Sequence, residues 1–395
     1  MFILIFATLF ASFLLASSSA ASVSSRVPRV STTSGVLSGS STDNISTFLG
    51  VPYAQPPIGD LRWKTALPIN SSRTAFDATQ FGAGCGQLVV PGNPSSVYST
   101  ANIETLPTNQ SEDCLSLNIW APKNATRLPV IIFVYGGGYQ SGVSSTTMYH
   151  GDHIAETGRA IFVSINYRLN IWGFPSSTPV DSLDQNIGIT DVRLAIEWVA
   201  TNIAQFGGDP AQIIFSGQSA GATIGKELLY AFDKDPIFVG QIALSGIGIV
   251  AAPTDGTSWN LVSNALGCGN FTNVSQVSRI SEYHIHTNIY TWCIKVSCMR
   301  NVNFDQINNA TLQLKTYFGP YTDGTIILDN AAYLARGANG SFAHVPALIS
   351  NVNDEGSLFV EPYSSVYPNG TTADFVADTT YVCPNGISLL CWVPQ

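Results

Sequence analysis

Charge is scarce in this 395-residue chain: Lys and Arg number 17, Asp and Glu 26, and together they make up 11% of the residues. The basic residues form no cluster and the formal net charge is -9, which excludes nucleic acid as a partner, because phosphate neutralisation needs grouped Lys and Arg. Internal repeats, heptad runs and long charged blocks are absent too, so neither a coiled coil nor a charged tail fits. Histidine is rare, with five copies at His150, His153, His284, His286 and His344. His150 and His153 stand three apart but have no third ligand nearby, so the spacing defines no metal site and the two read as surface residues. What the chain does have is apolar content, 45%, enough to bury a large core.

The first residues, Met1-Phe2-Ile3-Leu4-Ile5-Phe6 through Leu14-Leu15-Ala16, are apolar and are followed by Ser17-Ser18-Ser19-Ala20-Ala21. The run is short for a membrane span and small residues follow at once. It reads as a secretory leader over residues 1–20, with cleavage near Ala20 and no stable membrane insertion. Nine Asn-x-Ser/Thr sequons, at Asn44, Asn70, Asn109, Asn124, Asn270, Asn273, Asn309, Asn339 and Asn369, fit passage through a secretory pathway to the extracellular space. Seven cysteines in an exported chain imply disulfides with at least one thiol left over, and spacing alone does not pair them.

Short apolar runs bounded by turns recur at Val130–Val134, Ala160–Ile165, Ile213–Phe215, Gln241–Leu244 and Ala347–Ile349. Such runs suit strands of a buried parallel sheet. Between the second and third, Val192, Ala195, Ile196 and Val199 follow helical spacing. The β-α-β order predicts an α/β fold with a doubly wound, mostly parallel central sheet, in a single domain over 21–395. The polar stretch Asn93 to Ser111 reads as a long surface loop.

Gly217-Gln218-Ser219-Ala220-Gly221 directly follows the third run. A serine on a tight strand-to-helix turn needs small residues two positions either side, because the neighbouring backbone crowds any Cβ there. Ser219 is therefore a candidate nucleophile for acyl transfer. Tyr135-Gly136-Gly137-Gly138-Tyr139 follows another strand end, and successive glycines there let backbone N–H groups turn toward a developing negative charge. Gly221-Ala222-Thr223-Ile224-Gly225-Lys226-Glu227 approaches a phosphate loop but is one residue short, with Glu227 where magnesium needs Ser or Thr, so no nucleotide or other cofactor is implied.

Further segments resemble the type-B carboxylesterase and lipase family, which includes fungal extracellular lipases and the cholinesterases. Phe48-Leu49-Gly50-Val51-Pro52-Tyr53 through Leu61-Arg62-Trp63 is similar to its N-terminal region, and Ser111-Glu112-Asp113-Cys114-Leu115 through Trp120 to its second signature. Asn166-Tyr167-Arg168 and Phe206-Gly207-Gly208-Asp209-Pro210 resemble the segments leading to the elbow, and Asn353-Asp354-Glu355-Gly356-Ser357 the acid segment. The motifs run in family order from about Val36 to Cys383. The resemblance implies an α/β-hydrolase fold with Ser219 as nucleophile and the N–H groups of Gly137, Gly138 and Ala220 as oxyanion hole. It makes Glu355 the triad carboxylate and pairs Cys85 with Cys114 and Cys268 with Cys298.

One departure is decisive for the chemistry. The family order is nucleophile, acid, histidine, yet all five histidines precede Glu355. Against the family the chain also lacks a C-terminal strand, histidine loop and closing helix. Val277 to Lys295 interrupts a recognisable stretch, with Val277-Ser278 and Thr287-Asn288-Ile289 encodable by intron-like signals. The expectation is an incompletely or wrongly spliced product. The activity implied is cleavage of a small-molecule or lipid ester by a secreted carboxylic-ester hydrolase. Because the loop between Cys85 and Cys114 is mostly polar, it points to a general esterase more than to a lipase. The competing class is a non-catalytic, cholinesterase-like binding or adhesion protein.

Overall fold

The computed structural model describes residues 27–69, 75–87, 109–177, 183–246, 256–269 and 289–352, with the backbone alone for 289–294. The leader, most of the polar loop and of Val277 to Lys295, Glu355 and everything else from 353 onward lie outside the described residues.

Strands β1 (Arg29–Thr32), β2 (Gly35–Ser38) and β5 (Ala75–Asp77) form a small outer sheet. The main sheet holds β3 (Ser40–Ser41), β4 (Ile45–Pro52), β8 (Ser116–Pro122), β9 (Leu128–Val134), β10 (Ile161–Ile165), β11 (Gly208–Gln218), β12 (Gly240–Leu244) and β13 (Ala347–Ser350). A two-residue pair, β6 (Gly84–Cys85) with β7 (Gln110–Ser111), completes the strands.

The eight-stranded sheet has the order β13-β12-β11-β9-β10-β8-β4-β3, and β9 to β13 all run parallel while β8, β4 and β3 alternate in direction. This is the mostly parallel, helix-flanked sheet of the α/β-hydrolase fold. Val130, Ile132 and Val134 on one face of β9 are fully buried and all of β10, Ile161 to Ile165, is buried on both faces, as central strands of a parallel sheet are. The five predicted strands all form. The predicted helix extends over Ile187–Asn202, with Val192, Ala195, Ile196 and Val199 each fully buried.

Parallel strands bring their C-terminal ends to one edge, where loops gather and ligands bind. Here that edge collects the residues after Val134, Ile165, Gln218, Leu244 and Ser350, which include the glycine loop and Ser219. At the opposite end lie the turns that lead into the parallel strands.

Two long-range pairs lock motifs together. Arg62 donates to both carboxylate oxygens of Glu112 at 2.7 and 2.6 Å and to the carbonyls of Met299 and Val302. Arg168 grips Asp191 the same way at 2.7 and 2.6 Å, both side chains being buried, and so fixes the exit of β10 to the Ile187–Asn202 helix. The Cys85–Cys114 and Cys268–Cys298 disulfides are both formed. In the chain-entropy model each closes a loop contributing roughly 3–4 kcal/mol.

β13 ends the sheet, and among the described residues no strand pairs with its outer side. Its residues are exposed, Leu348 by 63% and Ile349 by 51%. Among the described residues no helix is long and apolar enough to cross a membrane.

Candidate active site

Ser219 joins β11 to the helix Ala220–Ala231, here called the elbow helix, with φ 52 and ψ -120. Such a backbone is costly for a residue carrying a Cβ and persists only where the surroundings enforce it. The enforcing contacts are visible. The Ser219 N–H donates to the Leu244 carbonyl at 2.8 Å, and the Ser219 carbonyl accepts the first helical bond from Thr223 at 3.0 Å.

The flanking glycines explain themselves sterically. A Cβ on Gly217 would lie 2.5 Å from the carbonyl carbon of Gly221, and one on Gly221 would lie 2.6 Å from the Tyr135 carbonyl oxygen. On the other side of the turn, a Cβ on Gly136 would lie 2.8 Å from the Ser219 Cβ, and one on Gly246 would lie 2.7 Å from the Ser219 carbonyl carbon. The glycine loop and the serine turn are thus in van der Waals contact. Gly137 and Gly138 take φ of 98 and 60, a left-handed conformation that side chains resist.

The loop is held from several directions. Gln140 donates Nε2 to the Gly138 carbonyl at 3.3 Å and to the Phe318 carbonyl, while the Tyr317 hydroxyl donates to the same Gly138 oxygen at 3.3 Å. Gln87 exchanges two hydrogen bonds with Gly142, each 3.0 Å. Tyr135 and Tyr167 stack at 4.8 Å, and each hydroxyl donates to the other's carbonyl, joining the exits of β9 and β10. The result is a glycine loop fixed in shape on the edge that carries Ser219.

Glu227 was not singled out by sequence reading as a buried acid. It lies on the elbow helix, only 2% exposed, with one oxygen 2.9 Å from Lys226 Nζ and the other without a hydrogen-bond partner. Burial raises its pKa to about 7, outweighing the pull of Lys226, and the charge of Asp323 adds to the rise. Burial also raises the Tyr139 phenol well above its ordinary value, and the negative charge of Glu227 reinforces this. A signal was present in the sequence, since Glu227 stands four beyond Thr223 and three beyond Ile224, both buried on the same helical face.

The histidines are elsewhere. His150, read from the sequence as a surface residue, is partly exposed, with its ring stacked on Phe81 at 5.0 Å and Trp120 at 5.8 Å and Nε2 3.0 Å from the Ser145 carbonyl. His344 packs on Phe342 at 4.5 Å and holds the Gly340 carbonyl at 3.1 Å, just before the N-terminal end of β13. His153 is exposed on the helical turn Asp152–Glu156. The structure thus brings Ser219, Ala220, Gly137 and Gly138 to one edge and leaves these three histidines off it. Glu355 lies beyond the described residues, five positions after Ser350, whose carbonyl accepts from Ser245 N–H at 2.7 Å on that edge.

Comparison with known proteins assigns the family. The profile of the carboxylesterase family matches residues 26–380, and the chain belongs to that family. It is 32% identical over 348 residues to Lipase 2 of Diutina rugosa, covering 79% of this chain and 59% of that protein. Chlorogenic acid esterase of Aspergillus niger is 33% identical over 337 residues, covering 81% and 60%. Secreted lipase 1 of Botryotinia fuckeliana is 32% identical over 374 residues, covering 85% and 60%. The chain therefore spans about three fifths of the length of these relatives.

Proposed function

We propose that the chain is a carboxylic-ester hydrolase of the secretory pathway, working through an acyl-serine intermediate on Ser219. The observation that carries this is the backbone of Ser219, held at φ 52 and ψ -120 against the glycine loop. In this reading Ser219 Oγ adds to the ester carbonyl carbon and the N–H groups of Gly137, Gly138 and Ala220 hold the oxyanion. The alcohol then leaves, and water releases the acid. Glu355 is the carboxylate that orients a catalytic base. Export is supported by the leader, the two disulfides and the likeness to a protein named as a secreted lipase. The mostly polar loop between Cys85 and Cys114, with the likeness to an esterase of chlorogenic acid, favours soluble esters over emulsified fat.

No histidine follows Glu355 in these 395 residues. Without a base the serine hydroxyl is a poor nucleophile, so the chain tested as written keeps only about 10³–10⁴-fold acceleration over water, from the oxyanion donors and binding. The second reading is a binding protein on the hydrolase fold. The full chain treated with a fluorophosphonate probe and with short p-nitrophenyl esters separates the two. Slow labelling, lost in Ser219→Ala, and slow turnover, largely kept in Ser219→Ala, are expected. A folded chain that neither labels nor turns over ester belongs to the second reading, and faster cleavage of emulsified triglyceride than of short esters overturns the substrate assignment.

A further inference from the structure

The sequons within the described residues separate in space. Ile45 pairs with Pro122 in the β4–β8 ladder, and Phe162, near the start of β10, pairs with Trp120 on β8. Asn44, just before β4, and Asn124, just after β8, therefore lie at the end of the sheet where the parallel strands begin. They are neighbours there, since the Lys123 N–H donates to the Asn44 carbonyl at 2.9 Å. Asn339 ends the helix Asn330–Asn339 that leads to β13, and Ala343 N–H donates to the carbonyl of Leu229 near the far end of the elbow helix. It lies at the same end. Ser219 is at the other, about 20 Å away along β9 and β11 by strand rise.

All three asparagines are exposed and sit in turns or at an element's end. Among the described residues, no hydrogen bond engages the side chains of Asn44 and Asn124. Asn339 uses only its Oδ1, which accepts from Ser341 N–H at 3.0 Å, so Nδ2 is left for modification. Asn109 and Asn309 differ in place. The Asn109 carbonyl accepts from Gly84 beside the Cys85 bridge, and Asn309 neighbours Asn308, which accepts from Trp172 just past the exit of β10. Both therefore lie toward the nucleophile's end.

We propose that Asn44, Asn124 and Asn339 carry N-linked oligosaccharides, forming a glycan-covered base opposite the nucleophile edge. A glycan is bulky and hydrated, so it is tolerated where the side chain already projects into solvent and crowds no substrate path. In the transfer, each Asn Nδ2 forms a bond to the anomeric carbon of a lipid-diphosphate-linked oligosaccharide. That carbon's bond to the diphosphate breaks, Nδ2 loses one proton, and the lipid diphosphate leaves. The inference rests on the export reading but not on catalysis.

The test expresses the full chain in a eukaryotic secretory host, once with its own first 20 residues and once with these replaced by an established leader. Peptide N-glycosidase in heavy-oxygen water then converts each glycosylated asparagine to a labelled aspartate, read by peptide mass mapping. Label at Asn44, Asn124 and Asn339 in most copies is expected, with one gel step lost in each of Asn44→Gln, Asn124→Gln and Asn339→Gln. Secreted protein unmodified at any of the three in most copies overturns the proposal. Label at all three with the replacement leader alone supports the glycan base while overturning the native leader.

Discussion

The backbone N–H of Ser219 donates to the carbonyl of Leu244 at 2.8 Å, so the serine turn hangs from the end of the neighbouring strand β12 as well as from its own helix. The residue two beyond Leu244, Gly246, lies against the Ser219 backbone, where an added Cβ would come within 2.7 Å of its carbonyl carbon. The strained serine is therefore clamped between β12 and the glycine loop that follows β9.

Two glycine substitutions separate crowding from backbone strain. Gly246→Ala forces the Ser219 turn to shift and is expected to cost about 1–3 kcal/mol, the usual range for overpacking, and to abolish probe labelling. Gly138→Ala meets nothing within 4 Å, but its φ of 60 costs a side chain about 1–2 kcal/mol. Denaturant midpoints read both, and equal labelling by Gly246→Ala and the parent chain would contradict the clamp.

Gln140→Ala tests the hold on the oxyanion loop. It removes the donors to Gly138 and Phe318. At about 1 kcal/mol for each bond, the second-order rate of fluorophosphonate labelling at Ser219 should fall roughly tenfold or more. Tyr317→Phe, which removes a single bond to Gly138, should lower it by less. Labelling unchanged by Gln140→Ala would show that the loop keeps its shape without this tie.

Glu227 gives a pH signature. Its pKa rises from 4.5 to about 7 in the fold, so between those values the folded state binds more protons than the unfolded. Stability from this group is fully present below pH 4.5 and falls as pH rises to about 7, by roughly 3 kcal/mol at most. Glu227→Gln should flatten that fall, gaining stability at pH 8 and changing little at pH 4.5. Urea melts across this range decide it, and parallel profiles for both proteins would rule out the assignment.

Asp191→Ala leaves Arg168 buried without its partner and is expected to cost about 3–5 kcal/mol. Replacing both, as Arg168→Met with Asp191→Leu, should cost clearly less, because no charge is then stranded. A double-mutant cycle by thermal unfolding measures the coupling, and a cost for the pair equal to the sum of the single changes would refute it.

Much of the site was legible because its determinants are local. Gly217 and Gly221 flank Ser219 within five residues, and the clash each avoids is with backbone a turn away or with the strand alongside. The strands read correctly because Ile161 to Ile165 are buried on both faces, and Val130 to Val134 bury one face fully and the other in part, so both needed continuous apolar runs. His150 is partly exposed, and nothing beside it in sequence announces its stacking on Phe81 and Trp120, which come from distant segments.

The sequence by itself determined the serine turn, the glycines it requires and the α/β sheet, since these follow from short-range sterics and from apolar periodicity, and its motifs carried the resemblance to the family. Only the tertiary structure decided that Gln140 reaches Phe318 across 178 residues, that Arg168 closes on Asp191, and that Glu227 is a buried acid with a pKa near 7. Hydrogen bonds between distant segments and the desolvation of a carboxyl depend on what folding brings together, and no local pattern of residues encodes that.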